Sequence, residues 1–273
     1  MKKILAVSTI SIAGAMFANA TDYTDITSGR TEVSTDATAM NYKVTAGQLF
    51  LNAWNKTDKS YEGNVILAGE GFANSSEPKC ALRLNEGATL AGKLEITAGT
   101  RIWSSGTSGD NTISGAVKQT TGTTVTFLNG GNAGTRNLKF SNSSIAFQTV
   151  VLESSASITF TAAATNISFA SVAKAESATN TQLKFEEGAK ISLVEGQSLT
   201  LAADTLIFGS TTISSSTLDL KLTLSNYFKG TAVSAITYQN GALTITAAPE
   251  PSAFGLLAGL GALALAGTRR RRR

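Results

Sequence analysis

The feature that most constrains the fold of this chain is a two-residue alternation of apolar and mostly hydroxyl-bearing side chains through residues 21–248. This alternation is typical of β-strands that bury one face. No proline stands between Pro78 and Pro249, so nothing in that stretch interrupts sheet pairing. We therefore predict an all-β body of short strands separated by glycine, asparagine, serine and threonine. The clearest alternating segments are Val125-Thr126-Phe127, Leu138-Lys139-Phe140, Ile158-Thr159-Phe160, Ile167-Ser168-Phe169, Leu183-Lys184-Phe185 and the leucine series Leu218, Leu220, Leu222 and Leu224.

An internal repetition narrows this prediction. Residues 82–90 (LRLNEGATL) reappear as residues 183–191 (LKFEEGAKI), in each case as a strand, an acidic-glycine turn and a second strand. Strand-turn-strand units of this kind suit the coils of a parallel β-helix, a solenoid in which each coil buries its inward side chains against the next. Strands recurring at intervals of about ten residues also describe a β-sandwich, which is the alternative fold.

The N-terminal segment predicts export. Lys2 and Lys3 precede an uncharged, largely apolar run over residues 4–17, and Ala18-Asn19-Ala20 supplies the small residues at a signal peptidase site. The run is too short to span a bilayer as an anchor. We predict that residues 1–20 are a signal peptide that signal peptidase removes, with Ala18 and Ala20 at the cleavage site.

The C-terminal segment, residues 249–273, predicts that translocation of the chain stops in the membrane. Pro249 and Pro251 fix their own φ angles and favour an extended backbone around Glu250, which makes a stiff, exposed element. The uncharged residues 253–267 would form a helix of about 23 Å, somewhat short of a hydrocarbon core of about 30 Å. The arginines that follow resist translocation and would remain on the cytoplasmic side. They are Arg269, Arg270, Arg271, Arg272 and Arg273.

This tail resembles the PEP-CTERM sorting signal of Gram-negative bacteria, in which a Pro-Glu-Pro element, a short apolar helix and an arginine cluster follow one another. The resemblance covers about the last 25 residues of the chain, from Pro249-Glu250-Pro251 to the five arginines. It implies recognition by exosortase, a membrane enzyme that cuts near the Pro-Glu-Pro element and releases or transfers the body to the cell surface. It also implies an association with extracellular polysaccharide or biofilm. The body, residues 21–248, resembles repetitive, autotransporter-like passengers in its general pattern, but no local motif supports this likeness.

The charge of the chain argues against a nucleic-acid partner. Seven of the 23 basic residues lie at the ends, as Lys2, Lys3 and the five terminal arginines, which leaves 16 basic against 18 acidic side chains in residues 21–248. The body therefore carries no basic stripe for a polyphosphate chain.

Composition also excludes the commonest catalytic sites. The chain has no histidine and one cysteine, Cys80, which rules out the familiar triads and zinc sites. We interpret Cys80 as a small buried apolar residue, and we expect no metal and no cofactor. The glycine-rich residues 130–134 lack the aspartate of a calcium-binding repeat.

Carboxylates are the remaining candidates for catalysis, because β-helices can host polysaccharide lyases and glycosidases. We interpret the acidic residues instead as solvating charges at turns, or as isolated side chains. Five aromatic residues could stack on sugars if exposed, although core packing is the favoured interpretation. We therefore expect a non-enzymatic exported surface or matrix protein; the alternatives are a carbohydrate-binding adhesin and a carbohydrate-active enzyme. The acidic residues are Glu70, Glu86, Glu186, Glu187, Glu195, Asp110, Asp204 and Asp219, and the aromatic residues are Tyr42, Trp54, Tyr61, Trp103 and Tyr227.

Overall fold

The computed structural model describes residues 22–249, except for residues 36, 38, 75–76, 108, 131–136 and 154. Within these residues the regular secondary structure is almost entirely β, arranged in three large sheets that we name A, B and C, and one small hairpin. The strands of sheet A, in spatial order, are β1 (Tyr23–Ile26), β3 (Asn41–Val44), β6 (Val65–Leu67), β11 (Leu94–Ile96), β14 (Val117–Gln119), β17 (Ile145–Ala146), β20 (Ile167–Ser168), β23 (Ile191–Ser192) and β27 (Phe228–Lys229).

Sheets B and C are built in the same way. Sheet B contains β2 (Arg30–Ser34), β4 (Gln48–Asn52), β9 (Leu82–Asn85), β12 (Thr100–Ser105), β15 (Thr124–Gly130), β18 (Thr149–Leu152), β21 (Ser171–Lys174), β24 (Ser198–Ala202), β29 (Ala242–Ala247) and β28 (Val233–Gln239). Sheet C contains β5 (Ser60–Tyr61), β10 (Thr89–Leu90), β13 (Asn111–Ile113), β16 (Asn137–Phe140), β19 (Ser157–Phe160), β22 (Gln182–Phe185), β25 (Thr205–Phe208) and β26 (Thr211–Thr212). The hairpin pairs β7 (Phe72–Asn74) with β8 (Glu77–Cys80).

From β3 onwards the chain visits the three sheets in the order A, B, C and then returns to A one strand further along, whereas β2 of sheet B is followed by β3 of sheet A with no described strand in sheet C. Neighbouring strands in sheet A are all parallel, as they are in sheets B and C until the last strands reverse. Parallel neighbours require a long crossover, and here one turn of the coil supplies it. The all-β prediction is confirmed, and the parallel pairing has the pattern of a solenoid. A β-sandwich, whose sheets are antiparallel, does not fit this pairing.

Apolar side chains form rows inside the coil because successive strands pair in register. On sheet A one row runs through Leu94, Val117, Ile145, Ile167 and Ile191, all of them buried. On sheet C the equivalent row consists of phenylalanines whose rings stack at centroid distances of 5.3, 5.1 and 4.9 Å. This row contains Phe140, Phe160, Phe185 and Phe208. The predicted division into an apolar inner face and a polar outer face is therefore confirmed.

The two copies of the repeated sequence fold alike but occupy different corners of the coil. Residues 82–90 form β9, a turn at Glu86 and Gly87, and β10, and so join sheet B to sheet C. Residues 183–191 include most of β22 and the first residue of β23, and so join sheet C to sheet A. The sequence predicted the strand-turn-strand unit correctly, but the repetition does not mark equivalent positions in successive coils.

Three glycines stack at the corner where sheet C passes into sheet A. A Cβ atom on Gly92 would lie 2.0 Å from the carbonyl oxygen of Gly63, and one on Gly115 would lie 1.8 Å from that of Gly92. Real Cβ atoms essentially never approach other heavy atoms below 3.0 Å. The backbones of successive coils therefore touch at this corner, and a side chain there would push them apart.

The prediction of a strand through the leucines of residues 218–224 is wrong. Leu220–Leu224 form a short helix, α1, followed by a 3₁₀ turn at Ser225–Tyr227. The Asp219 side chain accepts a hydrogen bond from the Leu222 backbone N–H and thereby caps the first turn of the helix. Leu220 and Leu224 are four residues apart, so both face the core from one side of a helix. A series of leucines at every second position contains pairs four residues apart, so it is compatible with one side of a helix as well as with one face of a strand.

None of the helices in the described part of the chain is long and apolar enough to cross a membrane. The predicted membrane helix over residues 253–267 lies outside the described residues, as does the predicted signal peptide over residues 1–20.

Candidate functional site

The hairpin β7–β8 is the main interruption of the coil. It lies between β6 of sheet A and β9 of sheet B, so its coil is longer than its neighbours. Under it, side chains on the outer face of sheet B are buried, although outer positions elsewhere are mostly polar. Phe50 is 5% exposed, and Trp103 and Leu128 are each 7% exposed. Cys80 of β8, Trp103 and Leu128 form a small apolar cluster separate from the main core.

Arg83 occupies the centre of this covered surface. Its guanidinium carbon lies 4.3 Å from the ring centroid of Phe50 and 4.1 Å from that of Trp103, so two aromatic rings pack against the charge. Arg83 also forms an ion pair with Glu77 of β8. Arg30 Nη1 donates to the two Glu77 carboxylate oxygens at 2.9 and 3.0 Å. The acidic residue of the hairpin therefore joins two arginines of sheet B.

Cys80 lies under the same hairpin and is fully buried. Gln48 Nε2 donates to the Cys80 sulfur at 2.9 Å. Desolvation on burial raises the pKa of the Cys80 thiol to about 12, an effect larger than the lowering caused by the Gln48 hydrogen bond and the nearby Arg83 charge. The thiol is therefore protonated at neutral pH and a poor nucleophile. The interpretation of Cys80 as a small buried residue is confirmed.

A groove of about 360 Å³ begins at the edge of the hairpin and follows the outer face of sheet B. Pro78, Leu128, Ala175 and Ala178 supply apolar walls, while Glu153 supplies a carboxylate whose Oε2 lies 2.6 Å from Arg101 Nη2. Several polar atoms at and beside the covered surface are buried without a hydrogen-bond partner. They include Gln48 Oε1, Arg101 Nε and Trp103 Nε1.

We expect Arg83→Lys to loosen the hairpin without unfolding the coil. Lysine keeps the charge but loses the planar guanidinium that stacks between the two rings. The loss of stacking should lower the free energy of local hairpin opening by about 1–2 kcal/mol. Native-state hydrogen exchange of the β7 and β8 amides measures this quantity.

Lys79→Ala is the matched control for Arg83→Lys. It breaks the ion pair between Lys79 of β8 and Glu70, which lies two residues before β7, and both side chains are exposed. Exposed pairs contribute little, so hairpin exchange should not change measurably. Equal exchange rates in Arg83→Lys and the parent protein would show that the stacked arginine does not hold the hairpin.

The acidic residues considered as catalytic candidates are dispersed over the coil. Glu86 lies at the corner between sheets B and C, Glu187 at the corner between C and A, and Glu195 at the corner between A and B. Glu86 is only 4% exposed, so its interpretation as a solvating charge is wrong. Its Oε1 instead accepts hydrogen bonds from the backbone N–H and the hydroxyl of Thr107.

All three aspartates interpreted as isolated have partners in the structure, and Asp219 is the residue that caps α1. Asp110 forms an ion pair with Lys139 at 2.9 Å. Asp204 accepts from Lys174 Nζ at 2.6 Å and from the backbone N–H of Thr181 at 3.0 Å. The hydrogen bond from Lys174 is the main reason that the pKa of Asp204 lies below its usual value. Within the described ranges, no group of three acidic or cysteine side chains is placed to hold a metal ion.

The aromatic residues considered as sugar platforms are mostly inside the protein. Tyr42, Tyr61 and Trp103 are buried, and Tyr227 is half-buried against Phe208. Burial raises the pKa of Tyr61 to about 12, while its hydroxyl donates to the Met40 carbonyl oxygen. Trp54 differs, because it is 55% exposed. The structure therefore brings no row of these five aromatic side chains to one flank.

Pro249 is the one predicted sorting residue that the structure describes. It is exposed and stands two residues after the end of β29. The other predicted site residues lie outside the described residues: Ala18, Ala20, Glu250, Pro251, Arg269, Arg270, Arg271, Arg272 and Arg273.

Sequence reasoning did not find the surface under the hairpin. One available signal was Pro78, the only proline in the body, because a proline within a strand-like segment marks an edge strand. No sequence pattern indicates that Arg83 would lie between Phe50 and Trp103, which are 33 and 20 residues away and meet Arg83 only through the coil register.

The fold and these sites define an all-β protein with large parallel sheets and one hairpin over an outer sheet face. No family model, no curated protein and no solved structure matches the chain.

Proposed function

We propose that the chain is a non-enzymatic, exported structural protein of the cell surface or extracellular matrix, and that its body is the parallel β-helix passenger of a PEP-CTERM sorting signal. Signal peptidase removes residues 1–20. The tail over residues 249–273 then holds the chain transiently in the inner membrane, where exosortase cuts near Pro249-Glu250-Pro251. The mature body is associated with exopolysaccharide or biofilm.

The position of Pro249 carries this proposal. The last strand, β29, ends at Ala247, and the exposed Pro249 follows after one residue. The Ala248 backbone still bonds to Ala232 and Gly196, so the order of the body extends to the start of the tail. A cut at or after Pro249 would therefore remove none of the strands described, and Pro249 itself is exposed.

The dispersal of the acidic residues supports a structural role over a carbohydrate-active enzyme. Glycosidases need two carboxylates about 5–10 Å apart across one groove. Here Glu86, Glu187 and Glu195 lie at three different corners, and Asp110 and Asp204 form ion pairs with lysines. The adhesin alternative receives less support, because Trp54 is the one strongly exposed side chain among the five aromatic residues considered.

Deletion of residues 249–273 tests the proposal. We expect the parent protein at the cell surface and the truncated protein free in the periplasm or the medium, because the segment that halts in the membrane is gone. Subcellular fractionation with immunodetection measures the destination. Circular dichroism of the truncated protein should match that of the parent body, since the deleted segment begins after β29.

A second variant separates charge from sequence in the tail. Replacement of Arg269–Arg273 by five lysines keeps the positive charge and should preserve membrane retention. Identical destinations for the parent chain and the chain without residues 249–273 would refute the sorting proposal.

A further inference from the structure

The outer face of sheet B loses its charged residues beyond the β7–β8 hairpin. The last six strands of the sheet, in spatial order, are β15, β18, β21, β24, β29 and β28, and Lys174 at the end of β21 is the single charged residue within them. The outer face of sheet A differs, because it carries charged residues such as Glu95 and Lys118 side by side. The outward side of these six strands is therefore an almost uncharged surface.

Hydroxyl groups form a row across this surface. The register places one hydroxyl residue of each strand next to one of the neighbouring strand, and all six side chains are at least partly exposed. Neighbouring strands lie about 4.8 Å apart, so the row extends over about 24 Å along the coil. We name it the hydroxyl row. It contains Thr124, Thr149, Ser171, Thr200, Thr244 and Thr237.

A slot of about 390 Å³ opens in the middle of this surface, between β21 and β24. Among the described residues, these two strands pair only at Val172 and Leu201, whereas β21 pairs with β18 at four positions and β24 pairs with β29 at five. Strand β24 has a parallel neighbour on one side and an antiparallel neighbour on the other. The slot lies along this weakly paired seam, and its volume is within the range of ligand sites in proteins.

Polar groups with unused hydrogen-bonding capacity line the slot. Within the described ranges, the Ser171 hydroxyl and the Asn240 side-chain amide form no hydrogen bond. Lys174 Nζ donates to Asp204 at 2.6 Å, and an ammonium group has further N–H donors. The charges of Lys174 and Asp204 neutralise each other, so the slot presents donors and acceptors without a net charge.

This chemistry favours a neutral polysaccharide over other partners. Sugar hydroxyls both donate and accept hydrogen bonds, which matches the hydroxyls of the row and the Asn240 amide. Small side chains beside the row, such as Ala173 and Ala202, leave space for a sugar ring to lie against the sheet. Protein interfaces instead depend on aromatic, methionine and arginine anchors, which this surface lacks. Polyanions require unpaired positive charge, and Lys174 is paired.

We propose that the slot between β21 and β24 binds a segment of a neutral polysaccharide, whose chain continues along the hydroxyl row. This inference rests on the proposed function, because the body must reach extracellular polysaccharide, and it assigns that association to one site. The row crosses the strands and follows the axis of the coil, so an extended polysaccharide contacts several strands at once.

Ala173→Glu is the first test. Ala173 is exposed and lines the slot, so glutamate would fill the slot and add a charge without entering the core. We expect at least about tenfold weaker binding of neutral polysaccharide than in the parent protein. Ala163→Glu is the matched control, because Ala163 is an exposed turn residue outside the slot.

Isothermal titration calorimetry of the protein purified from its own cells measures this binding. The neutral probes are dextran, galactomannan and the neutral polysaccharide fraction of the same cells, and the acidic probe is alginate. We expect the parent protein to bind at least one neutral probe and to bind alginate more weakly.

Two milder variants provide the second test. Ser171→Ala removes one hydroxyl of the slot, and Asn240→Gly removes the amide while glycine tolerates the φ of 50° at this position. Each should weaken binding of the neutral probe by about threefold to tenfold, because each removes a hydrogen-bonding group. Ser143→Ala, at an exposed residue outside the slot, should leave binding unchanged.

Several results would overturn the proposal. They are a parent protein that binds no neutral probe, tighter binding of alginate than of any neutral probe, and equal weakening by Ala173→Glu and Ala163→Glu. Self-association of the parent protein that Ala173→Glu abolishes, without polysaccharide binding, would assign the surface to a second copy instead. The readout is binding in solution, so its failure is distinct from a failure of sorting by the tail, which changes the destination of the protein.

Discussion

Gly92→Ala is expected to lower the free energy of unfolding by about 3 kcal/mol or more, a large effect for one added methyl group. The new Cβ would lie 2.0 Å from the Gly63 carbonyl oxygen, 2.4 Å from its carbonyl carbon and 2.7 Å from the Glu62 carbonyl oxygen. These are backbone atoms of the preceding coil, which cannot move aside as the end of a flexible side chain can. Chemical denaturation followed by far-ultraviolet circular dichroism measures the loss.

Gly99→Ala is the matched control for Gly92→Ala. Gly99 has nothing within 4 Å of an added Cβ, and its φ is not in the left-handed range. We expect a neutral or slightly stabilising change, because alanine restricts the unfolded chain. A Gly92→Ala protein as stable as Gly99→Ala would show that successive coils do not touch at the corner between sheets C and A.

Phe185→Ala is expected to lower the free energy of unfolding by about 3–5 kcal/mol. Phe185 is fully buried, and its ring stacks between Phe160 at 5.1 Å and Phe208 at 4.9 Å. Removal of the ring leaves a cavity in the middle of the phenylalanine row and breaks both contacts. Each turn of the chain is stabilised by the turns next to it, so the loss should appear in the unfolding of the whole β-body.

Lys184→Ala is the control for the phenylalanine row. Lys184 precedes Phe185 in β22 and lies on the outer face of sheet C, so its removal should change stability by less than about 0.5 kcal/mol. A loss below about 1 kcal/mol in Phe185→Ala would contradict the packed interior.

The sequence predicted the strands well because alternation reflects a simple physical requirement. In a coil of parallel strands, every second side chain faces the interior, and residues such as Phe140 and Phe160 occupy those positions. Alternation alone did not decide whether neighbouring strands are parallel or antiparallel, since both patterns bury one face. The parallel order depends on contacts between residues 18 or more positions apart, as between Leu138 and Ile158.

Inward polar residues are a part of the structure that alternation could not predict. Asn111 takes an inner position next to Leu138 and is fully buried. Its Nδ2 donates to the Leu84 and Ser105 carbonyl oxygens and to Ser104 Oγ, and its Oδ1 accepts from two backbone N–H groups of the preceding turn. Both the Nδ2 donor and the Oδ1 acceptor of the Asn111 side chain therefore have hydrogen-bond partners, which makes its burial possible.

The candidate sites were less predictable than the fold because they depend on register and on insertions. Glu86 has a turn sequence similar to that of Glu187, yet Glu86 is buried under residues 106–107 while Glu187 is exposed. The difference comes from the next coil, which covers one corner and leaves the other open. The covered surface around Arg83 likewise exists because the β7–β8 hairpin folds over the outer face of sheet B.

Mapping of both termini of the surface-exposed protein by mass spectrometry tests the proposed function most directly. The proposed function predicts an N-terminus at Thr21 and a C-terminus at or near Pro249-Glu250-Pro251, without the apolar segment and the five arginines. A mature cell-surface form that still ends in Arg273 would contradict it.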